Sequence, residues 1–126
     1  MEVNHVVQLG TTVYNASGVI KTYSGSVVLR EDLDDELLRK ELNEMGITGP
    51  IVSIVNPWYY RRKESDTWIK IGESDNEHDN FPTRWDTASL EDGDYEVMGL
   101  MHVTAQKGSV EVSIARQNVV QVNVKN

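Results

Sequence analysis

Two stretches of this chain gather residue types that can do chemistry. The first is Glu73-Ser74-Asp75-Asn76-Glu77-His78-Asp79-Asn80, an acidic run whose carboxylates are hard oxygen ligands of the kind calcium takes. Asp75, Glu77 and Asp79 alternate as at the start of an EF-hand loop, and Asp86 follows eleven residues after Asp75. The turn glycine and the closing glutamate of that motif are missing, and a strand is expected by Asp86. A solvated acidic loop is therefore the leading reading, and calcium held by Asp75, Glu77 and Asp79 the lesser one.

The second stretch is Trp58-Tyr59-Tyr60-Arg61-Arg62-Lys63, aromatics joined to the one strong basic cluster of the sequence. Rings beside cations suit a protein partner, a sugar or single-stranded nucleic acid. In a strand, Trp58 and Tyr60 face away from Tyr59 and Arg61, so at least one ring is expected at the surface. Trp58, Tyr59, Arg61 and Arg62 are the candidate partner surface. The blander reading is a core strand flaring into a solvated end.

Other chemistries find little support. His5, His78 and His102 are far apart in the chain. His5 and His102 could hold a metal with an acidic partner only if their strands were neighbours. There is no nucleophile elbow, phosphate-binding glycine loop or His-Glu-x-x-His helix, and no two acids stand out as a glycosidase pair. Cysteine is absent, which removes thiol nucleophiles, disulfides and cysteine-ligated metal centres. No cofactor is expected. Twenty acidic against 12 basic side chains give a net charge of −8, which argues against nucleic acid and against anionic membrane surfaces. No apolar run reaches the roughly 18 residues of a membrane helix. Met1-Glu2-Val3-Asn4-His5 lacks the basic flank and apolar segment of a signal peptide. That leaves the compartment open: cell surface or secreted if a leader was removed, cytoplasm otherwise. Asn15-Ala16-Ser17 fits a glycosylation acceptor, meaningful only in a eukaryotic source.

The elements that must position these residues are mostly strands. At 126 residues the chain has the length of one domain, long enough to bury a core unaided. Period-two alternation marks Val3 to Leu9, Val19 to Leu29 with Gly25 as an interruption, and Pro50 to Tyr60. It continues in Trp68 to Ile71 ending at Gly72, Tyr95 to Val103, Val110 to Ile114 and Val120 to Val124. Pro57 predicts a bulge or an edge position, since it cannot donate to a ladder. Seven or eight strands predict an antiparallel β-sandwich. One segment departs from the pattern. Leu33, Leu37, Leu38, Leu42 and Met45 gather on one helical face, with Asp32 or Asp34 as cap and Gly46 as stop, predicting an inserted helix at about 32–45. Its leucine face is read as closing one end of the sandwich, with docking of a partner as the sharper alternative.

Several motifs agree in order. Tyr59-Tyr60-Arg61-Arg62 is followed by Thr67-Trp68-Ile69-Lys70-Ile71-Gly72, then by Trp85-Asp86-Thr87-Ala88-Ser89-Leu90-Glu91-Asp92-Gly93-Asp94-Tyr95, and last by Val120-Gln121-Val122-Asn123-Val124. From residue 51 to 126 this resembles the bacterial immunoglobulin-like domains found as tandem modules of surface proteins and as accessory modules of secreted enzymes. The resemblance implies an immunoglobulin-like sandwich with a turn at Leu90-Glu91-Asp92-Gly93, a buried corner tyrosine at Tyr95 and no catalytic residues. The inserted helix departs from the family's pattern. The expectation is a non-catalytic interaction or structural module, binding a protein partner or another copy of itself. A carbohydrate-binding module using Trp58, Tyr59 and Trp68 is one alternative, and a small carboxylate-dependent enzyme is another.

Overall fold

The computed structural model of the protein describes residues 21–126. The strand expected at Val3 to Leu9, His5, and the Asn15 acceptor lie outside the described residues. Seven strands and one helix follow in order. They are β1 (Lys21–Tyr23), β2 (Ser26–Leu29), α1 (Asp35–Glu44), β3 (Ile51–Arg62), β4 (Ile69–Ser74), β5 (Thr83–Asp86), β6 (Gly93–Lys107) and β7 (Val110–Val124). They make a five-stranded sheet in the order β1-β7-β6-β3-β4 and a two-stranded sheet β2-β5. All pairings are antiparallel except β1, which runs parallel to β7 at the edge. Leu29 and Trp85 from the small sheet share one buried cluster with Trp58, Tyr95, Val97, Val122 and Val124 from the large one. The fold is thus a mainly β, sandwich-like pair of layers with one helix.

Helix α1 forms where its leucine spacing predicts. Asp34 caps it by accepting from the Leu37 amide at 3.0 Å, and Asp35 and Glu36 place negative charge on its first turn. Gly46 takes φ of +77°, which lets the Ile47 amide turn back to the Leu42 carbonyl at 2.9 Å. Leu38 and Leu42, each 1 % exposed, pack with Ile54, Met101, Val103 and Ile114. These lie on the half of the large sheet that β2 and β5 do not reach, so the helix stands in for a second layer there.

Two expectations about strands are corrected, and of the two alternatives for Pro57 the register favours the bulge. Val110–Ile114 and Val120–Val124 are one continuous strand, β7, because its partner β6 is equally long and pairs with it from Gly93–Val124 to Lys107–Val110. Gly72 does not end β4 but lies within it. A Cβ there would stand 2.5 Å from Thr83 Oγ1, so the glycine lets β5 approach. Strand β3 lies between β6 and β4, so Pro57 is not on an edge. The β3–β6 pairs run to Val55–His102 and resume at Trp58–Gly99, leaving Pro57 at a gap where no donor is needed. A register shift against β4 follows at Trp58/Tyr59.

The corner before β6 matches its expectation. Gly93 has φ of +148°. Tyr95 is 4 % exposed and donates its hydroxyl to the Glu91 carbonyl at 2.8 Å. Trp85 packs edge-on against its ring.

Candidate functional site

The inner face of the large sheet is apolar along each strand except at one level. On β3, Asn56 stands between Ile54 and Trp58. On β6, Gly99 stands between Val97 and Met101. On β7, Arg116 and Asn118 stand between Ile114 and Val120. The register makes these neighbours, since Gly99 pairs with both Trp58 and Asn118. Asn56, Arg116 and Asn118 are all buried, at 0, 5 and 4 % exposure. They form a polar layer that divides the helix-side core from the core built around Trp85 and Tyr95.

Glu31 enters this layer from the segment between β2 and α1 and is 2 % exposed. Its own amide is held by the Asn80 carbonyl at 2.9 Å, which fixes where the side chain can reach. Its Oε1 accepts from Asn118 Nδ2. No hydrogen bond of ordinary geometry reaches its Oε2 or either amide atom of Asn56, although the Asn56 side chain is near enough to favour the ionised carboxyl. Gly99 makes the room: a Cβ there would stand 2.5 Å from Glu31 Oε2 and 3.5 Å from Asn56 Nδ2. Burial raises the Glu31 carboxyl above its ordinary range, opposed by the Asn118 hydrogen bond, the Arg116 charge and Asn56. Beside it lies a cavity of about 290 Å³ walled by Tyr23, Trp58, Val97 and Val122. Exposed Lys21, Val28 and Arg30 stand at its rim.

Strand pleating divides the aromatic-basic stretch between two faces. Trp58 is 6 % exposed and donates its indole N–H to the Phe81 carbonyl at 2.9 Å, so it belongs to the inter-sheet core and not to a partner surface. Arg62 pairs with Glu91 at 3.0 Å, and its guanidinium lies over the Tyr95 ring at 5.7 Å, bracing the corner. Tyr59 and Arg61 remain on the outer face of the large sheet, where Tyr59 pairs with Met98 and Met98 with Val119. Arg61 is bonded to Glu96 at 2.8 Å and stacks over Trp68 at 4.3 Å. Around them Met98, Leu100 and Ala115 form a third apolar cluster, with Tyr59, Trp68 and Val119 against it. The charges of Arg61 and Arg62 are therefore met by their own ion pairs, and since Met98, Leu100 and Ala115 are buried, the partly exposed residues of this cluster are Tyr59, Arg61, Trp68 and Val119.

The acidic run ends β4 and forms one 3₁₀ turn, Glu77–Asp79. The Asn76 side chain caps that turn, and Asn80 and Phe81 take positive φ of 61° and 52° as Phe81 drives into the core at 0 % exposure. The three candidate ligands do not converge. Glu77 lies against Asp35 at the start of α1, and its carboxyl is raised by partial burial and by that neighbour. Asp79 is 3.9 Å from Arg30. Among the described residues no three His, Cys, Asp or Glu side chains are placed to share a metal. His102 is half-buried on β6 with its imidazole lowered by burial, while His78 sits in the 3₁₀ turn.

The polar layer was missed in the sequence, although a signal exists. Three apolar alternations are broken by Asn, Gly and Arg-x-Asn, and only the register reveals that the breaks coincide. Glu31 offers no such signal, since nothing in its surroundings marks it as buried. The chain matches no protein-family model and no curated protein.

Proposed function

We propose that this chain is a non-catalytic interaction module: an immunoglobulin-like accessory domain, or small subunit, that joins a larger assembly through the outer face of its five-stranded sheet. Two features support the immunoglobulin-like reading. Strands β7-β6-β3-β4 and β2-β5 fall in the order of the G-F-C-C′ and B-E strands of that architecture, and the Tyr95 hydroxyl closes a tyrosine corner. The observation that carries the interaction reading is the Arg61 guanidinium stacked at 4.3 Å on Trp68 beside Tyr59. Arginine and large aromatics, already ordered by packing, lose little entropy when a partner covers them, and such residues dominate binding energy at protein interfaces. The local ion pair between Arg61 and Glu96 presents both signs of charge, so the face suits another protein, including a second copy, better than it suits a polyanion.

The test is sedimentation velocity of the purified chain over a concentration series, beside a Tyr59→Ala/Arg61→Glu variant, with thermal unfolding as the control for folding. Concentration-dependent association that the double substitution abolishes is the expected result. Association that survives in a folded double variant, or its absence from the unsubstituted chain at every concentration, would overturn self-association through this face.

A further inference from the structure

The cavity between the two sheets is apolar along its walls and charged at its mouth. Trp58, Val97, Val120 and Val122 line it from the large sheet, and Leu29 lines it from β2. Trp58, Val97, Val122 and Leu29 are buried in one cluster with Val120 packed against it, so the wall is preformed. The volume is about 290 Å³. That is close to the lower limit of small-molecule sites, roughly 300–1,000 Å³, which are likewise apolar with a few placed polar groups.

The mouth lies between β1 and β2, where Lys21, Val28 and Arg30 are exposed. One cation comes from each layer: Lys21 begins β1 at the edge of the large sheet, and Arg30 follows β2 of the small one. Among the described residues Lys21 has no ion-pair partner. Arg30 meets Asp79 at 3.9 Å with both side chains half-exposed, a weak tie that a better-placed anion replaces. Val28, 44 % exposed, carries the apolar wall out to the mouth. On a chain of net charge −8, two cations at one opening reverse the local sign and attract an anion.

Glu31 decides which way round a ligand lies. It is adjacent to Arg30 in the chain but turned inward, 2 % exposed, and it lines the cavity at the polar layer. Its carboxyl is bonded by Asn118 and favoured as the ion by Arg116 and Asn56, so it needs no cation from outside. A negative group pushed inward would meet that carboxylate, whereas one left at the mouth meets Lys21 and Arg30. A cationic ligand would have to pass both of them. We propose that the cavity binds a small carboxylate amphiphile free in solution, its apolar body among Trp58, Val97 and Val122 and its head between Lys21 and Arg30.

Body and head contribute differently. Burial of the apolar body supplies affinity, and the guanidinium of Arg30, whose planar fork matches a carboxylate, supplies selectivity. Exposed ion contacts are individually weak and screened by salt, so an inorganic anion with no body to bury is not held. This site is on the inner side of the large sheet and is separate from the outer face of Tyr59, Arg61 and Trp68.

The experiment is an NMR titration of the full chain with sodium octanoate below its micelle concentration, beside octanol and inorganic phosphate. It follows the Trp58 indole N–H and the methyls of Val97, Val120 and Val122. Octanoate should shift these signals to saturation, octanol should bind about tenfold more weakly for want of the charged head, and phosphate should leave them unmoved. The Lys21→Glu/Arg30→Glu variant should bind octanoate no better than octanol, with its octanol affinity unchanged. Octanoate that moves none of these signals, or moves only those of Tyr59 and Trp68 on the outer face, would overturn the site. Phosphate that moves them by itself would overturn it equally. So would octanol bound as tightly as octanoate, or a double variant that keeps the parent's octanoate affinity. The comparison of octanoate with octanol on the unsubstituted chain decides the question alone if the variant does not fold.

Discussion

Removing the Tyr95 hydroxyl and removing its ring should have costs that differ severalfold. The ring is buried, 4 % exposed, and meets Trp85 at 6.3 Å between centroids and 76° between planes and Tyr60 at 6.2 Å. The Arg62 guanidinium covers it from the solvent side at 5.7 Å. The hydroxyl donates to the Glu91 carbonyl at 2.8 Å, four residues back across the turn. Tyr95→Phe keeps the packing and loses that bond together with a long one accepted from Arg62 Nη1 at 3.5 Å, so it should cost about 1 kcal/mol. Tyr95→Ala deletes the ring and leaves a cavity that Trp85 and Tyr60 cannot fill, and should cost about 3–5 kcal/mol. Set against a total stability of roughly 5–15 kcal/mol for a domain, the second substitution removes a large fraction of it. Urea unfolding followed by tryptophan fluorescence measures both, since Trp85 reports on the same cluster. The midpoints should shift with little change in slope, the Ala variant by about three times as much as the Phe variant. Equal shifts would mean that the turn's hydrogen bond and not the packing holds the corner. An Ala variant with an unchanged midpoint would refute the corner assignment altogether.

Two further substitutions probe the rest of the core. Gly99→Ala would set a Cβ 2.5 Å from Glu31 Oε2 and 3.3 Å from its Cδ, and should cost about 1–3 kcal/mol by overpacking. The loss should shrink in a Gly99→Ala/Glu31→Ala pair, where the clashing carboxyl is gone, and a double-mutant cycle of denaturation midpoints that shows no coupling would contradict the placement of Glu31. Leu42→Ala empties a site 1 % exposed between α1 and the large sheet and should cost about 2–5 kcal/mol. If calorimetry finds the variant as stable as the parent, the helix does not serve as the missing layer over that half of the sheet.

How much of this was legible in the chain follows from the range of the forces involved. The helix was readable because its signals are local. Leucine spacing, an Asp34 cap and Gly46 at positive φ act within a few residues of one another. The corner at Leu90 to Tyr95 was readable for the same reason, and so was the alternation of the long strands. The boundary between β7's two halves was misread because Arg116, Gln117 and Asn118 look like a break in an apolar run. Pairing with an equally long β6 overrides that local signal. Gly72 was misread as a stop because its use, admitting Thr83 from another strand, is invisible until β5 is in place.

The partner surface divided along the same line. Residue type and pleating sufficed to say that Trp58 and Tyr59 face opposite ways. Which face is the inside depends on where β2 and β5 pack, and that alone buried Trp58 against Phe81 and left Tyr59 outside with Trp68. The charges of Arg61 and Arg62 were plain in the sequence, yet their neutralisation by Glu96 and Glu91 joins residues 35 and 29 positions apart. The polar layer is the extreme case. Asn56, Gly99, Asn118 and Glu31 span most of the chain, and nothing in the sequence around any of them calls for the others. Local spacing by itself determined which elements form, because backbone propensity and side-chain periodicity act over a few residues. Only the tertiary structure decided that four separate irregularities meet at one level of the core, because burial and electrostatic coupling belong to the assembled sheets and to no single segment.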